Sequence, residues 1–517
     1  MSARPIVWSI AGSDSGGGAG IQADLKALAA FEVHGCTAIA ALTAQNSVAV
    51  ERIEAVAPAM LEAQLAALAS DLLPQVVKTG LLASLENVAI VARWIDRLRE
   101  RGPVALVVDP VRRASSGASF ASDELRRAFV EQLLPRATLV TPNRDEAAWL
   151  LGVDALAQEQ LPEAAARLRA LGAGAVAITG GDAAGESSLD CIDTPQARGW
   201  LSLPRVATAH THGTGCTYAS SAAAALALGF CEADATVLAK MATTAALRDG
   251  YAAGQGPGPV QARAGFALQG ALLPDLLDRL PDAPATPYAA LANADLGLYP
   301  VVDSADWVER VLAAGVRTVQ LRIKQAAPGH LAQEVARSVA AARAVQAQLF
   351  INDHWRLAIE HGAYGVHLGQ EDLHTLSAAD LAAIRDAGLR LGLSTHSYWE
   401  VCRARAHRPS YIACGPIHAT TTKDMPWRPQ GPDNLAYWCR VLAEPVVAIA
   451  GMDEPRSRVA ASCGASGIAV VRGIVQADDP EEAIRRLQQA IAQGRAGAPH
   501  PVPALPRPTL AGPVPRD

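Results

Sequence analysis

Short runs of consecutive apolar residues recur along the chain, each followed by a longer stretch with an apolar residue every three or four positions. In the first half the runs are "PIVWSIAG" (5–12), "CTAIAALTA" (36–44), "QVVKTGLL" (75–82), "VALVVDPV" (104–111), "TLVTPN" (138–143) and "AVAITGG" (175–181). They are apolar at successive rather than alternate positions, which marks parallel strands covered on both faces. Helical spacing over 58–73 and 161–171 fills gaps between them. The pattern predicts an open α/β/α sandwich with its ligands at the carboxyl ends of the strands.

The second half carries eight such runs: 296–302, 316–324, 348–353, 364–369, 389–396, 411–417, 445–451 and 467–474. A helical stretch follows each, the last over 480–493. Eight βα units predict a closed (β/α)8 barrel, a TIM barrel, with its site on the rim at the strands' carboxyl ends. Gln320, Arg322, Lys324, Asn352, Asp353, Ser394, Thr420 and Lys423 all fall there. Two segments break the rhythm. "LPDAPATPYAALANADLG" (280–297) reads as a linker, and the proline-rich 494–517 as a disordered tail. The expected organisation is therefore an α/β domain over 1–280, a linker over 281–295, a barrel over 296–493 and a tail.

Of 517 residues half are hydrophobic, which suits two packed α/β cores. Lys plus Arg number 45 against 51 Asp plus Glu, a formal charge of -6. That balance excludes the basic excess that would draw the chain to nucleic acid or an anionic membrane. The eight cysteines form no CxxC pair and no zinc-type spacing with histidine, so a reducing cytosol is expected. "MSARPIVWSIAG" lacks a long apolar stretch, and the run 222–229 is too short for a bilayer, which also points to a cytoplasmic protein.

The chemistry gathers around "HGTGCTYASSAAAA" (212–225), a glycine-spaced turn running into an alanine-rich helix. Free amides at a helix start, with Gly213 and Gly215 opening the backbone, make a cradle for a transferring phosphoryl group. Cys216 at that point should have its pKa lowered and could accept a proton from an attacking hydroxyl. The alternative is a small packing residue. "AGSDSGGGAGIQADL" (11–25) also joins a strand to a helix, but no Gly-Lys-Ser/Thr ends it, so it is not a Walker A loop.

With "IAGSDSGGGAGIQADLKA", "ALTAQN", "VKTGLL", "VVDPV", "LVTPNRDEA", "ITGGD" and "HGTGCT" in order, residues 5–260 resemble the hydroxymethylpyrimidine/phosphomethylpyrimidine kinases of the ribokinase superfamily. The resemblance implies that Gly12, Asp24, Gln45, Leu81 and Val111 line a pyrimidine pocket and that Cys216 is catalytic. It further implies that Asp109, Asn143 and Glu146 organise Mg²⁺-ATP, with Gly181, Gly213 and Gly215 near the phosphates. By spacing alone Asn143 and Glu146 fit a helix capping box equally well. Leu81 stands where the family usually has Met, and Arg112 and Arg113 replace a Met and a small residue.

In the barrel, "QLRIK" (320–324) alternates along its strand, so Gln320, Arg322 and Lys324 should share a face and grip a diphosphate. Asp353 and Asp372 each end a strand and suit joint Mg²⁺ binding, or separate helix caps. The motifs "QLRIK", "FIND", "GVHLGQEDL", "GLSTH", "GPIHATTTK" and "VVAIAG" make residues 296–490 resemble thiamin phosphate synthase. That resemblance implies that Gln320, Arg322, Lys324, Asn352, Ser394 and Lys423 hold hydroxymethylpyrimidine diphosphate and that Asp353 and Asp372 hold Mg²⁺. Thr420, Thr422, Gly451 and Val471 would hold thiazole phosphate, with Arg472 beside them. Ala450 replaces a glycine and Arg472 a serine of the usual pattern.

The two resemblances together imply a bifunctional enzyme of thiamin biosynthesis with Mg²⁺ as cofactor and ATP as co-substrate. Its partners are small molecules, and sheet edges of such folds often pair into homo-oligomers. Two alternatives stand beside it. One is a kinase of pyridoxine-like substrates with a vestigial barrel, motivated by Arg112 and Arg113. The other is a barrel that binds thiazole or thiamin phosphate and regulates the kinase, motivated by Ala450 and Arg472.

Overall fold

A computed structural model describes residues 4–112, 122–181, 185–280, 285–325, 327–419 and 426–514. These fall into two compact units, 1–280 with 510–517, and 281–509. Among the described residues no helix is long and apolar enough to cross a membrane.

The first unit is built on a ten-stranded sheet. The six apolar runs form its centre: His34–Gln45, Ile6–Asp14, Val76–Thr79, Ala105–Val108, Leu139–Val140 and Val176–Ile178 lie side by side and parallel. Four further strands were not anticipated. Val50–Ala55 pairs antiparallel at one edge, and Ser187–Asp193, Arg198–Pro204 and Asp275–Leu277 extend the other. Val50–Ala55 reads VERIEA and is exposed along most of its length, so it offers no continuous apolar run. Trp8, Leu61, Leu65, Val91, Ile95, Leu106, Phe129 and Leu168 belong to the core. The helix Thr214–Ala227 is buried all round from Thr217 onward, which explains its alanines: larger side chains would not fit.

The second unit is a closed barrel of eight parallel strands: Gly297–Val302, Thr318–Leu321, Gln348–Asn352, Gly365–Leu368, Arg390–Thr395, Tyr411–Cys414, Val446–Ile449 and Gly467–Val470. Its interior holds Tyr299, Phe350 and Tyr411, with the last two rings edge to face at 5.0 Å. Two strand glycines make the room. A Cβ on Gly392 would lie 2.1 Å from the Tyr411 ring, and one on Gly365 2.6 Å from Phe350.

The expected linker and tail hold no helix or strand over 285–296 and 497–514, yet both make specific contacts where described. In the linker, Tyr288 is buried, its amide donates to the Arg408 carbonyl and its hydroxyl to the Leu381 carbonyl. In the tail, Asn434 exchanges two hydrogen bonds with the Arg507 backbone (2.7 and 2.9 Å), and buried Thr509 donates to the His396 carbonyl. Proline-rich composition limits regular structure but leaves these carbonyls, amides and apolar rings free to dock.

Candidate functional site

In the first unit a cavity of about 530 Å³ opens at the carboxyl ends of the parallel strands. Gly12, Gln45, Leu81, Asp109, Val111, Asn143, Glu146, Gly181, Gly213, Gly215 and Cys216 all line it, as does Arg112. Arg113 lies outside the described residues.

Asp24 is not among the lining residues. It is fully buried, accepts hydrogen bonds from Ser9 and Ser220, and pairs with Lys78 at 2.9 Å. A carboxylate so enclosed needs a compensating cation, and Lys78 on the neighbouring strand Val76–Thr79 supplies it. Sequence analysis passed over Lys78 as one polar residue in an apolar run. Yet an unexplained lysine in a doubly covered strand is itself a signal of a buried partner. Lys78 also approaches Asp109 at 3.5 Å, and these carboxylates hold its ammonium charged against burial.

Burial pushes the Asp109 carboxyl up, while Lys78 pulls it down. Its buried Oδ2 has the Lys78 ammonium at 3.5 Å and no closer partner, and Asp109 lines the cavity. A hard cation or an ordered donor suits such an oxygen.

The two glycine-rich stretches meet. Asp14 ends the first strand and accepts the amides of Gly16, Gly18 and Ala19, which folds the loop back on itself. His212 Nε2 reaches the same carboxylate at 2.9 Å and ties "SGGGAG" to "HGTGC". Burial alone would raise the Asp14 pKa, but His212 and the amides outweigh it and hold it at about 2. Neither Asp14 nor His212 was anticipated, although both flank the glycine runs.

Gly213 caps the helix with φ 85°, and a Cβ there would lie 2.0 Å from the Gly18 carbonyl oxygen. Gly215 has open space around it, so the helix start faces the cavity unobstructed. Cys216 differs from expectation. Burial pushes its thiol up to about 12, with Asp24 and Asp109 adding to the rise, against Lys78 and the Gly20 amide. Helix amides favour a thiolate, but nearby carboxylates and a low-dielectric setting favour the thiol more.

Asn143 and Glu146 form the reciprocal capping box at 2.9 Å in each direction, and both still line the cavity. Deeper in the wall, Asp190 and Lys240 pair at 2.9 Å, both buried, and were also missed.

In the barrel the anticipated residues that the structure describes lie at or beyond the carboxyl ends of strands. The strand Thr318–Leu321 ends before Arg322, so only Gln320 of the "QLRIK" trio is in regular strand. The Arg322 amide still donates to the Val302 carbonyl at 2.7 Å, and Lys324 is exposed beyond it. Asn352 ends its strand buried. Asp353 follows at φ 64°, a left-handed position that turns its carboxylate from the strand.

Asp353 and Asp372 face each other closely enough to interact. Burial first, then Asp372, raises the Asp353 pKa to about 6 despite Arg322. Asp372 also caps its helix by accepting the Gly369 amide. Two oxygen donors repelling each other suit Mg²⁺, whose remaining positions water and phosphate can fill. Among the described residues no group of three or more His, Cys, Asp or Glu could hold a metal by itself. Thr420, Thr422 and Lys423 lie outside the described residues.

Ala450 and Gly451 follow strand Val446–Ile449 at φ 84° and 69°. A Cβ on Gly451 would lie 2.7 Å from His418, whereas Ala450 carries its Cβ at some strain. Val471 precedes the short helix Arg472–Val475, and Arg472 is exposed.

Beneath the rim Gln370, buried, donates to the Ser394 carbonyl at 2.7 Å and is held by Arg403. His367 reaches Ser394 Oγ at 2.9 Å. Burial and Arg322 push His367 down to about 4, so it is a neutral imidazole. Gln370, His367 and Arg403 were not anticipated.

A cavity with a helix start in its wall and a barrel rim with paired carboxylates define a two-unit α/β enzyme that handles phosphate groups. Residues 14–261 match the family model for phosphomethylpyrimidine kinase, and residues 298–474 match that for thiamine monophosphate synthase. The thiamine-phosphate synthase of Neisseria meningitidis serogroup A is 54% identical over 197 residues, 38% of this chain and 95% of that protein. That of Citrobacter koseri is 51% identical over 208 residues, 40% of this chain and 94% of that protein. Similar solved structures include a pyridoxal kinase of Bacillus subtilis in complex with ADP, 33% identical. It has a TM-score of 0.46 and covers 50% of this chain and 98% of that one. The chain belongs to the thiamine-phosphate synthase family and, with a phosphomethylpyrimidine kinase domain ahead of its barrel, is a bifunctional transferase of thiamin biosynthesis.

Proposed function

We propose that the first unit phosphorylates hydroxymethylpyrimidine twice from ATP and that the barrel condenses the resulting diphosphate with thiazole phosphate. The carrying observation is that the residues assigned by resemblance, Asp24 apart, gather around one cavity in the first unit. In that cavity Gln45, Leu81 and Val111 surround the pyrimidine, with Gly12 at its edge. The amides at Gly213, Gly215 and Cys216 stabilise charge on the transferring phosphoryl group. Cys216 rests as a thiol in the free protein, and it is the thiolate, favoured by Lys78 and by the cation of Mg²⁺-ATP when bound, that would accept the proton of the attacking hydroxyl. Asp109, Asn143 and Glu146 hold the Mg²⁺-ATP end, with Gly181 near the phosphates.

On the barrel rim Gln320, Arg322, Lys324, Asn352 and Lys423 hold the pyrimidine diphosphate, and Ser394 lies beside the ring. Asp353 and Asp372 hold Mg²⁺, which when bound neutralises the departing diphosphate. Thr420, Thr422, Gly451, Val471 and Arg472 hold thiazole phosphate, Arg472 by a forked guanidinium contact. The thiazole nitrogen attacks the pyrimidine methylene carbon as its bond to diphosphate breaks. A strong general base is not needed.

A one-pot assay with hydroxymethylpyrimidine, thiazole phosphate, ATP and Mg²⁺, followed by mass spectrometry, tests the proposal. Thiamin phosphate supports both halves. Accumulated pyrimidine diphosphate without it would leave the barrel regulatory, and preferred turnover of pyridoxal would overturn the kinase half.

A further inference from the structure

A chain of buried hydrogen bonds crosses the barrel interior beneath the rim. Gln320 Nε2 donates to the Tyr299 hydroxyl at 3.3 Å. The Tyr299 and Tyr411 hydroxyls are 2.9 Å apart. Tyr411 reaches His367 Nδ1 at 2.7 Å, and His367 Nε2 reaches Ser394 Oγ at 2.9 Å. Tyr299 and Tyr411 are at most 1% exposed and His367 6%, so these groups satisfy one another.

The ends of this chain fix its direction. With the Gln320 amide nitrogen donating to it, the Tyr299 hydroxyl still has one proton to place, and the Tyr411 oxygen at 2.9 Å is the acceptor beside it; the reverse order would leave that buried proton unpaired. Tyr411 then donates to His367 Nδ1. A neutral imidazole that accepts at Nδ1 carries its proton on Nε2, and that proton goes to Ser394 Oγ. The Ser394 hydroxyl proton is left to point elsewhere, and Ser394 is the one member of the chain that is not buried.

We propose that Tyr299, Tyr411 and His367 are positioning residues that set the polarity of Ser394, making its hydroxyl a committed donor that selects a ligand with a ring-nitrogen acceptor at that point. This rests on Ser394 lying beside the pyrimidine. A ligand with a C–H in place of that nitrogen leaves the donor unpaired and binds less well.

The test is a double-mutant cycle on synthase turnover in the full-length protein, with hydroxymethylpyrimidine diphosphate and thiazole phosphate supplied directly. Tyr411→Phe removes the relay hydroxyl and keeps the ring. It should lower kcat/KM about tenfold, roughly the worth of one well-placed hydrogen bond. In a Ser394→Ala background the same change should cost less than about twofold, because the group it orients is gone. A merely structural tyrosine would give losses that multiply, and that result overturns the relay. Should Tyr411→Phe fail to fold, His367→Gln and His367→Leu replace it. The glutamine keeps an N–H within reach of Ser394 and should retain most turnover, whereas the leucine should not. Equal loss in both overturns the proposal. A pyridine analogue with C–H for the ring nitrogen should be discriminated against by wild type and much less by Tyr411→Phe. Unchanged discrimination speaks against the relay alone. Wild-type protein without any turnover overturns the underlying reading and the relay with it.

Discussion

The two sites solve one electrostatic problem in opposite ways. In the first unit the charges are built in: Lys78 is wedged between Asp24 and Asp109, Asp190 faces Lys240, and Asp14 is satisfied by His212 and three amides. In the barrel the interior relay from Gln320 to Ser394 is neutral, an amide, two phenols and an imidazole, and the charges of Arg322, Lys324, Asp353 and Asp372 stay near the rim. A closed cavity must compensate its charges before any ligand comes, because an unpaired buried ion is costly. An open rim can leave compensation to its ligands. The first site should therefore be sensitive to loss of internal partners, and the second to ions in solution.

The largest effect should come from Lys78→Met. It leaves Asp24 and Asp109 without their cation and should destabilise the first unit by about 3–5 kcal/mol, seen in chemical denaturation. Kinase activity should fall with it while synthase turnover persists. A silent substitution would erase the contrast between the sites.

Cys216→Ser comes next. It should lower phosphorylation about 10²- to 10⁴-fold, the usual reach of a lost proton-transfer group, with little change in stability. Unaltered phosphorylation would make Cys216 a packing residue after all.

A smaller effect concerns ions at the rim. Asp353 has its pKa raised, so its stability contribution is present below about pH 4 and is lost as pH rises through about 6. Mg²⁺ relieves that repulsion. It should raise the barrel's melting temperature more at about pH 7.5 than at about pH 5, and Asp353→Asn should remove the difference. A pH-independent Mg²⁺ effect would place the ion elsewhere.

The smallest is Ala450→Gly. Relief of the left-handed strain, less the added chain entropy of glycine, should stabilise the barrel by up to about 1 kcal/mol in a thermal melt.

Much of this was legible because burial writes itself into periodicity. Both units, all eight barrel strands and the six central strands of the sheet follow from apolar runs that parallel, doubly covered strands require. The edge strand Val50–Ala55 did not, because it is exposed along most of its length and lacks such a run. In the proline-rich segments, composition does not reveal which surface receives Tyr288 or Thr509.

The sequence by itself determined which chemical groups stand at strand ends and helix starts, since those positions follow from local periodicity and glycine spacing. Only the tertiary structure decided how the groups are paired. Asp24 turned from a ligand residue into the partner of Lys78, 54 positions away. Cys216 gained a raised rather than a lowered pKa from burial first and then from carboxylates contributed by other strands and helices. Tyr299, Tyr411 and His367, each a lone polar residue in an apolar run, became one relay. Electrostatic and hydrogen-bond energies depend on distances of a few ångströms through space, and separation along the chain does not encode them.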